Sequence, residues 1–296
     1  MSSIRQILAL IDDGPRADAV LALAAQLATR HGASVQALHA VPTATAGAGG
    51  YLSPEAAGLA IEYAAQADAE RQARAAARVA AAADSHGLAI PLAPAEADAV
   101  AAALAAAHHS DLVVLAQHTP GDGQVAGFAG SVLVGAGAPL LFVPSVDALP
   151  ADADGAPRCG HHVLVAWAPT RESTRALRDA MPLLAMAQTV ELVTLADADG
   201  DEPTLDGVRG YLRRHGVEAT VHVMARGSAP LSAGLLGAGW TPDVPVAEAL
   251  LSHAADTNAD LIVMGGYGHA RLRELALGGV TRTMLKSMTV PVLMSH

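Results

Sequence analysis

Ala259-Asp260-Leu261-Ile262-Val263-Met264 repeats, roughly 150 residues on, the pattern of Ser110-Asp111-Leu112-Val113-Val114-Leu115. Each stretch is an unbroken apolar run behind an Asp. A strand with one wet face would alternate apolar and polar residues; a continuous run is buried on both faces, as in a parallel sheet covered by helices. The likeness extends outward in both directions. Ile7-Leu8-Ala9-Leu10-Ile11 answers Val163-Leu164-Val165-Ala166-Trp167, and Ser34–Val41 answers Thr189–Leu195. Ala138-Pro139-Leu140-Leu141-Phe142-Val143 and Val290-Pro291-Val292-Leu293-Met294 are matching closing strands. Between these runs the pattern turns helical, predicting helices over 16–31, 54–86 and 95–109, and over 171–187, 203–215 and 245–258. Short strands are expected at Leu88–Ala93 and Ala219–Met224. Five strands joined by four helices in each half make two tandem, doubly wound α/β domains. Their expected bounds are 1–146 and 162–296. The intervening 147–161, rich in Asp, Ala and Pro, is expected to be an exposed linker.

Composition agrees and excludes several functions. Apolar residues make up 52% of the 296, so there is material for two cores, and charged residues only 16%, too few for a disordered chain. Aromatics are 3%, which leaves Ala, Val and Leu to pack the interior. Cys159 is the single cysteine, so neither a disulfide framework nor a cysteine-rich metal site is available. Met1–Leu10 runs straight into a strand pattern without the features of a signal peptide, and no apolar run is long enough to span a bilayer. A cytoplasmic protein without a membrane partner is expected. The net charge of −11 argues against nucleic acid as a partner. Residues 1–157 carry 6 basic and 15 acidic side chains, net −9, whereas 158–296 carry 12 and 14, net −2. Four of the basic residues, Arg271, Arg273, Arg282 and Lys286, cluster in an otherwise acidic chain.

The chemistry is expected behind the fourth strand of the second half. Met264-Gly265-Gly266-Tyr267-Gly268 is followed by His269–Leu277 and then Gly278-Gly279-Val280-Thr281-Arg282. Ligands of open α/β sheets sit beyond the carboxyl ends of the strands, where strand order reverses. Glycines there let backbone N–H groups approach an anion, and a helix opening at Gly278-Gly279 aims its positive end at the same place. Arg271 and Arg282 can add charge to a phosphate site. The other reading of the same glycines is that they only make tight turns.

Gly265-x2-Gly268-x9-Gly278-Gly279 resembles the nucleotide motif of universal stress proteins, Gly-x2-Gly-x9-Gly-Ser/Thr, and as a tandem pair the resemblance covers nearly the whole chain. It implies in each half a five-stranded parallel sheet of order 3-2-1-4-5. It also implies ATP or ADP, with or without Mg²⁺, lined by Met264, Gly265, Gly268, Gly278, Gly279 and Val280. Gly279 stands where the family has Ser or Thr; Thr281 is close enough to substitute. The family's Asp at the end of the first strand is Ala168 in the second half and Asp12 in the first. The first half has lost the loop glycines (Ala116-Gln117-His118-Thr119) and keeps Gly130-Ser131 out of register, so its site is read as vestigial. The resemblance further implies pairing of the two closing strands, which would make the chain an internal pseudo-dimer able to form a homodimer; no protein partner is named by it.

Other constellations weigh less. Asp12-Asp13 matches the acidic pair of a receiver domain, but Ala89-Ile90-Pro91-Leu92-Ala93 and Phe142-Val143-Pro144-Ser145 lack the phosphoacceptor Asp and the Lys that chemistry needs. Asp13 is read instead as a turn or cap residue before the first helix. The thirteen histidines, His108-His109, His161-His162, His118 and His269 among them, are read as solvated or loop residues, with no metal site. No catalytic residue is assigned: no Gly-Lys-Ser/Thr occurs, Glu274 is the only acid near the loop, and Cys159 has no activating partner in sequence. Segment 225–244 is read as an insertion, either a lid or a surface loop without a role. Three functions stand side by side: a nucleotide-responsive regulatory or interaction module acting in stress response, a nucleotide-free scaffold, and a very slow ATPase or phosphotransferase.

Overall fold

The computed structural model describes residues 3–40, 53–94, 98–117, 123–145, 149, 151, 155, 157–196, 205–224, 243–266 and 279–296. Gly268, Arg271, Gly278, His118, His269, Glu274 and most of 225–244 lie outside them. The chain forms two compact units: Ile4–Ala116 with Gly121–Ala136, and Gly137–His296 together with Gln117.

In the first unit the order is β1 (Gln6–Ile11), α1 (Arg16–His31), β2 (Ser34–His39), α2 (Pro54–His86), β3 (Leu92–Ala93), α3 (Ala99–Ala107), β4 (Leu112–Ala116) and α4 (Gly123–Gly135). The strands pair in parallel as β3-β2-β1-β4, with Ile7 opposite both Val35 and Leu112. Local chemistry sets the helix ends. Ser53 caps α2 by accepting the Ala56 N–H at 3.2 Å with Pro54 in the first turn, and Asp98 caps α3 by accepting the N–H groups of Val100 and Ala101 at 3.0 Å. Gly32 closes α1 at φ 63°, where a side chain would be strained. β3 is shorter than the run Leu88–Ala93 suggests. Pro91 and Pro94 flank it and lack N–H donors, so only Leu92 and Ala93 pair with β2.

The second unit holds β5 (Leu140–Val143), β6 (His162–Ala166), α5 (Arg171–Asp179), α6 (Met181–Leu184), β7 (Thr189–Leu195), α7 (Asp206–Arg214), β8 (Thr220–Met224), α8 (Asp243–Thr257), β9 (Leu261–Gly265), α9 (Gly279–Ser287) and β10 (Val292–Ser295). Strands β8-β7-β6-β9-β10 are parallel neighbours in that order. β5 adds antiparallel to β10, with Phe142 opposite Val292 and Leu140 opposite Met294. The helix expected over 171–187 is broken in two. Pro182 has no N–H for an interior turn but suits the first turn of a new helix, so α6 restarts at Met181.

The two Asp residues of the repeat do the same job in both units. Asp111 Oδ2 accepts the N–H groups of Arg5 and Gln6 at 2.8 and 3.0 Å, just before and at the start of β1. Asp260 Oδ1 accepts those of His161 and His162 at 2.9 and 3.1 Å at the start of β6. Each carboxylate satisfies backbone donors that the sheet leaves open and ties the first strand to the fourth. Asp260 is fully buried, and Arg158 Nε lies 3.2 Å from its Oδ2. The stretch read as an exposed linker is therefore partly interior: Cys159 is completely buried beside that ion pair.

Candidate functional site

Strand order in the second unit reverses between β6 and β9, which lie side by side with Val165 opposite Val263. β6 leads out to α5 and β9 to the glycine-bearing stretch, so the crevice expected of a doubly wound sheet lies at their carboxyl ends. The last residue of β9 is Gly265. A Cβ placed on it would fall 2.7 Å from both the Glu172 carbonyl carbon and the Ser173 nitrogen. The first motif glycine thus has a packing role of its own, letting the first turn of α5 press against β9. Met264, next to it, is buried. Gly266 follows and donates its N–H to the Ser295 carbonyl at 2.8 Å.

α9 is described from Gly279 to Ser287, directly after the glycine stretch. Gly279 and Val280 are half-buried, Thr281 is buried and Arg282 is exposed. On the β6 side, Ala168 is exposed and brings no carboxylate; Thr170 caps α5 by accepting the Ser173 N–H at 3.2 Å. Beside Ala168 a cavity of about 200 Å³ opens between α5 and α7, lined by Trp167, Leu177, Arg178, Val208 and Tyr211 among others. It is mostly apolar, and none of the described motif glycines lines it.

The first unit differs at the corresponding positions among the described residues. Asp12 is engaged: its Oδ1 accepts the Gly14 N–H at 2.9 Å and its Oδ2 pairs with Arg16 at 3.0 Å. Asp13 pairs with Arg74 at 2.7 Å, and Arg78 reaches both the Asp13 carbonyl and the Asp18 carboxylate. Burial works against the charged form of Asp13, but the hydrogen bond and charge of Arg74 outweigh it and hold the pKa below the ordinary carboxylate value. Asp13 is not the helix cap; Pro15 occupies that position without a side-chain bond. Gly130 and Ser131 sit inside α4, which starts at Gly123, so their N–H groups point along the helix ladder and not toward a ligand. Gln117, in register with Gly266, is buried. It donates Nε2 to the Leu285 carbonyl at 2.9 Å and accepts the Ser145 N–H at 2.6 Å.

A second cluster was not legible as such in the sequence. Glu191 of β7, His222 of β8 and His253 of α8 each offer a ligand-type atom, all within 4.8 Å of one another. His253 Nε2 lies 3.1 Å from Glu191 Oε2, and the His222 and His253 rings stack at 4.0 Å between centroids, 16° from parallel. His162 Nε2 approaches the same Glu191 oxygen at 3.9 Å. The signal was there: a Glu and a His inside otherwise apolar strand runs. Only strand register shows that they meet, since Glu191 pairs with Thr220 and Val193 with His222, which puts all of them on one face.

These features define a doubly wound α/β protein with its crevice at the β6–β9 switch point. The chain belongs to the universal stress protein family, whose model matches residues 3–144 and 242–296. A universal stress protein from Archaeoglobus fulgidus DSM 4304 has a similar structure over 98% of this chain and 97% of its own, at 17% identity with a TM-score of 0.66. A functionally unknown protein, PA1789, from Pseudomonas aeruginosa PAO1 matches over 99% and 92% at 13% identity, with a TM-score of 0.50. In sequence, the universal stress protein Slr1230 of Synechocystis sp. (strain ATCC 27184 / PCC 6803 / Kazusa) is 39% identical over 46 residues, which is 16% of each chain. No helix among the described residues is long and apolar enough to cross a membrane.

Proposed function

We propose that the second unit binds an adenine nucleotide, ATP or ADP, in the crevice between the ends of β6 and β9, and that the protein acts as a nucleotide-responsive regulatory or interaction module. The observation that carries this reading is the strand-order reversal between β6 and β9 with Gly265, the first glycine of the motif, at the end of β9. The residues fit the phosphates better than the ribose. The amino end of α9 and the Arg282 guanidinium would complement negative charge, with Arg271 a further cation near in sequence and Thr281 the hydroxyl nearest in sequence to the position where the family has Ser or Thr. At the sugar side Ala168 offers no acceptor. When bound, the nucleotide would supply phosphate charge for these donors, and Mg²⁺ would be held by the phosphates and water. Met264, Gly265 and Val280 would contribute backbone and shape; Gly265 supports the site by keeping α5 close. No side chain in the described part of the site is placed to activate a water, so binding without fast turnover is the expected behaviour.

Two observations favour a second reading, a nucleotide-free scaffold: Ala168 is exposed without a carboxylate, and Gly265 is already accounted for by packing. β5 against β10 is the kind of closing-strand pairing such a role would use, and further self-association into a homodimer belongs to this reading. Calorimetric titration with Mg·ATP separates the two. Saturable binding that is lost in Gly268→Val, with the circular dichroism spectrum unchanged, supports the first. Absence of binding by the wild type leaves the scaffold.

A further inference from the structure

We infer that Glu191, His222, His253 and His162 form a binding site for a borderline divalent cation, Zn²⁺ by its donor set, within the second unit and separate from the glycine loop. The argument starts from protons. His162 Nδ1 lies 3.1 Å from the Thr257 carbonyl, which can only accept, so Nδ1 carries the hydrogen. That leaves the Nε2 of a neutral ring with a lone pair. This Nε2 is buried, makes no hydrogen bond, and faces Glu191 Oε2 at 3.9 Å, an oxygen that also has only lone pairs. The buried, unpartnered nitrogen and the carboxylate oxygen present lone pairs to each other, a pairing that a cation between them would stabilise. A ring nitrogen fixed by a backbone carbonyl, with its other nitrogen presented to a carboxylate, is also the arrangement that orients metal-ligating histidines.

The remaining donors converge on the same carboxylate. His253 Nε2 donates to Glu191 Oε2, and His222 stacks on His253. Three imidazoles and one carboxylate suit Zn²⁺ and its neighbours in the first transition row, and are too rich in nitrogen for Ca²⁺ or Mg²⁺. The donor atoms of Glu191, His222 and His253, within 4.8 Å of one another, need to close to about 3.3 Å, the edge of a tetrahedron with bonds of about 2.0 Å, through a splay of the stacked rings, while His162 Nε2 approaches the Glu191 oxygen from 3.9 Å. On binding, the His253 Nε2 proton leaves to solvent or moves to Nδ1, and the freed lone pair takes the metal. The donors come from three neighbouring strands and the helix covering them, so the ion would clamp β6, β7, β8 and α8 together.

The test uses the full chain without a polyhistidine tag, stripped with a chelator and titrated with Co²⁺ as the spectroscopic probe. Intense visible bands of a tetrahedral centre, saturating at one ion per chain and abolished by Zn²⁺, are expected; only the weak bands of a hydrated ion would overturn the proposal. Zn²⁺ affinity should fall at least ~10-fold in Glu191→Gln and in His222→Ala, and stay unchanged in the exposed pair His108→Ala/His109→Ala. Equal affinity in the cluster variants contradicts the site. If a cluster variant fails to fold, the wild-type Co²⁺ spectrum and a rise of Tm with added Zn²⁺ decide by themselves.

Discussion

Gly265 and Glu172 touch backbone to backbone: a Cβ on Gly265 would sit 2.7 Å from the Glu172 carbonyl carbon and 2.8 Å from its Cβ. Neither atom belongs to the flexible end of a side chain, so the first turn of α5 would have to move away from β9. Gly265→Ala is expected to destabilise the second unit by ~1–3 kcal/mol, read as a lower denaturation midpoint in urea. Nucleotide affinity measured on this variant would mix folding with binding, which makes Gly268 and Gly278 the informative positions for the ligand.

Asp111 and Asp260 hold equivalent strand ends in different surroundings. Asp111 is exposed, and water can replace it; Asp260 is fully buried with Arg158 beside it. Asp260→Ala removes the acceptor of two backbone N–H groups and leaves the guanidinium unpaired, an expected loss of ~3–5 kcal/mol. Asp111→Ala is expected to lose ~1 kcal/mol. Equal losses in urea unfolding would show that burial does not set the difference.

Gln117 donates to the Leu285 carbonyl in the last turn of α9 and holds the Ser145 N–H. Gln117→Ala leaves both groups without that partner in a buried place, and a loss of ~2–4 kcal/mol is expected, with Gln117→Glu no better because a carboxylate cannot donate to Leu285. Thermal unfolding of the three proteins checks this.

The first unit should weaken in mild acid. Burial lowers the pKa of His39, against the attraction of Asp13, and burial followed by the charge of Arg30 lowers that of His31. A histidine kept neutral by the fold contributes fully above its unfolded pKa of about 6.5, and that contribution is lost as pH falls through the folded value. Asp13, with its pKa held down chiefly by Arg74 against the opposing effect of burial, adds a further loss at lower pH. The urea midpoint should drop between about pH 7.5 and about pH 5.5, and drop less in His31→Gln/His39→Gln. The same drop in the variant would place the acid sensitivity elsewhere.

Architecture was readable wherever burial writes itself into composition. Ile7–Ile11, Leu112–Leu115, Val163–Ala166 and Leu261–Met264 are continuous apolar runs because both faces of a covered parallel sheet are dry, and their spacing set the α/β reading. Breaks governed by single prolines were harder: Pro91 and Pro94 shorten β3, and Pro182 divides α5 from α6, without disturbing the apolar pattern. The burial of Cys159 was hidden because an Asp-, Ala- and Pro-rich stretch surrounds it, while its partner region around Asp260 is about 100 residues away. His162, Glu191, His222 and His253 follow one another at intervals of 29, 31 and 31 residues, so no local motif announces them; parallel register and the helix over it bring them together. For the glycine loop, Gly265 ends β9, while Gly268 and Gly278 lie outside the described residues.

The most direct test of nucleotide binding is to purify the full chain without added nucleotide, denature it, and identify released small molecules by chromatography and mass spectrometry, followed by titration of the emptied protein with Mg·ATP and ADP. Adenine nucleotide released near one per chain, or saturable binding that Gly268→Val and Gly278→Val remove, is the predicted result. No released nucleotide and no binding by the folded wild type would contradict it, and would mean that the glycines serve the packing of β9 and α9 alone.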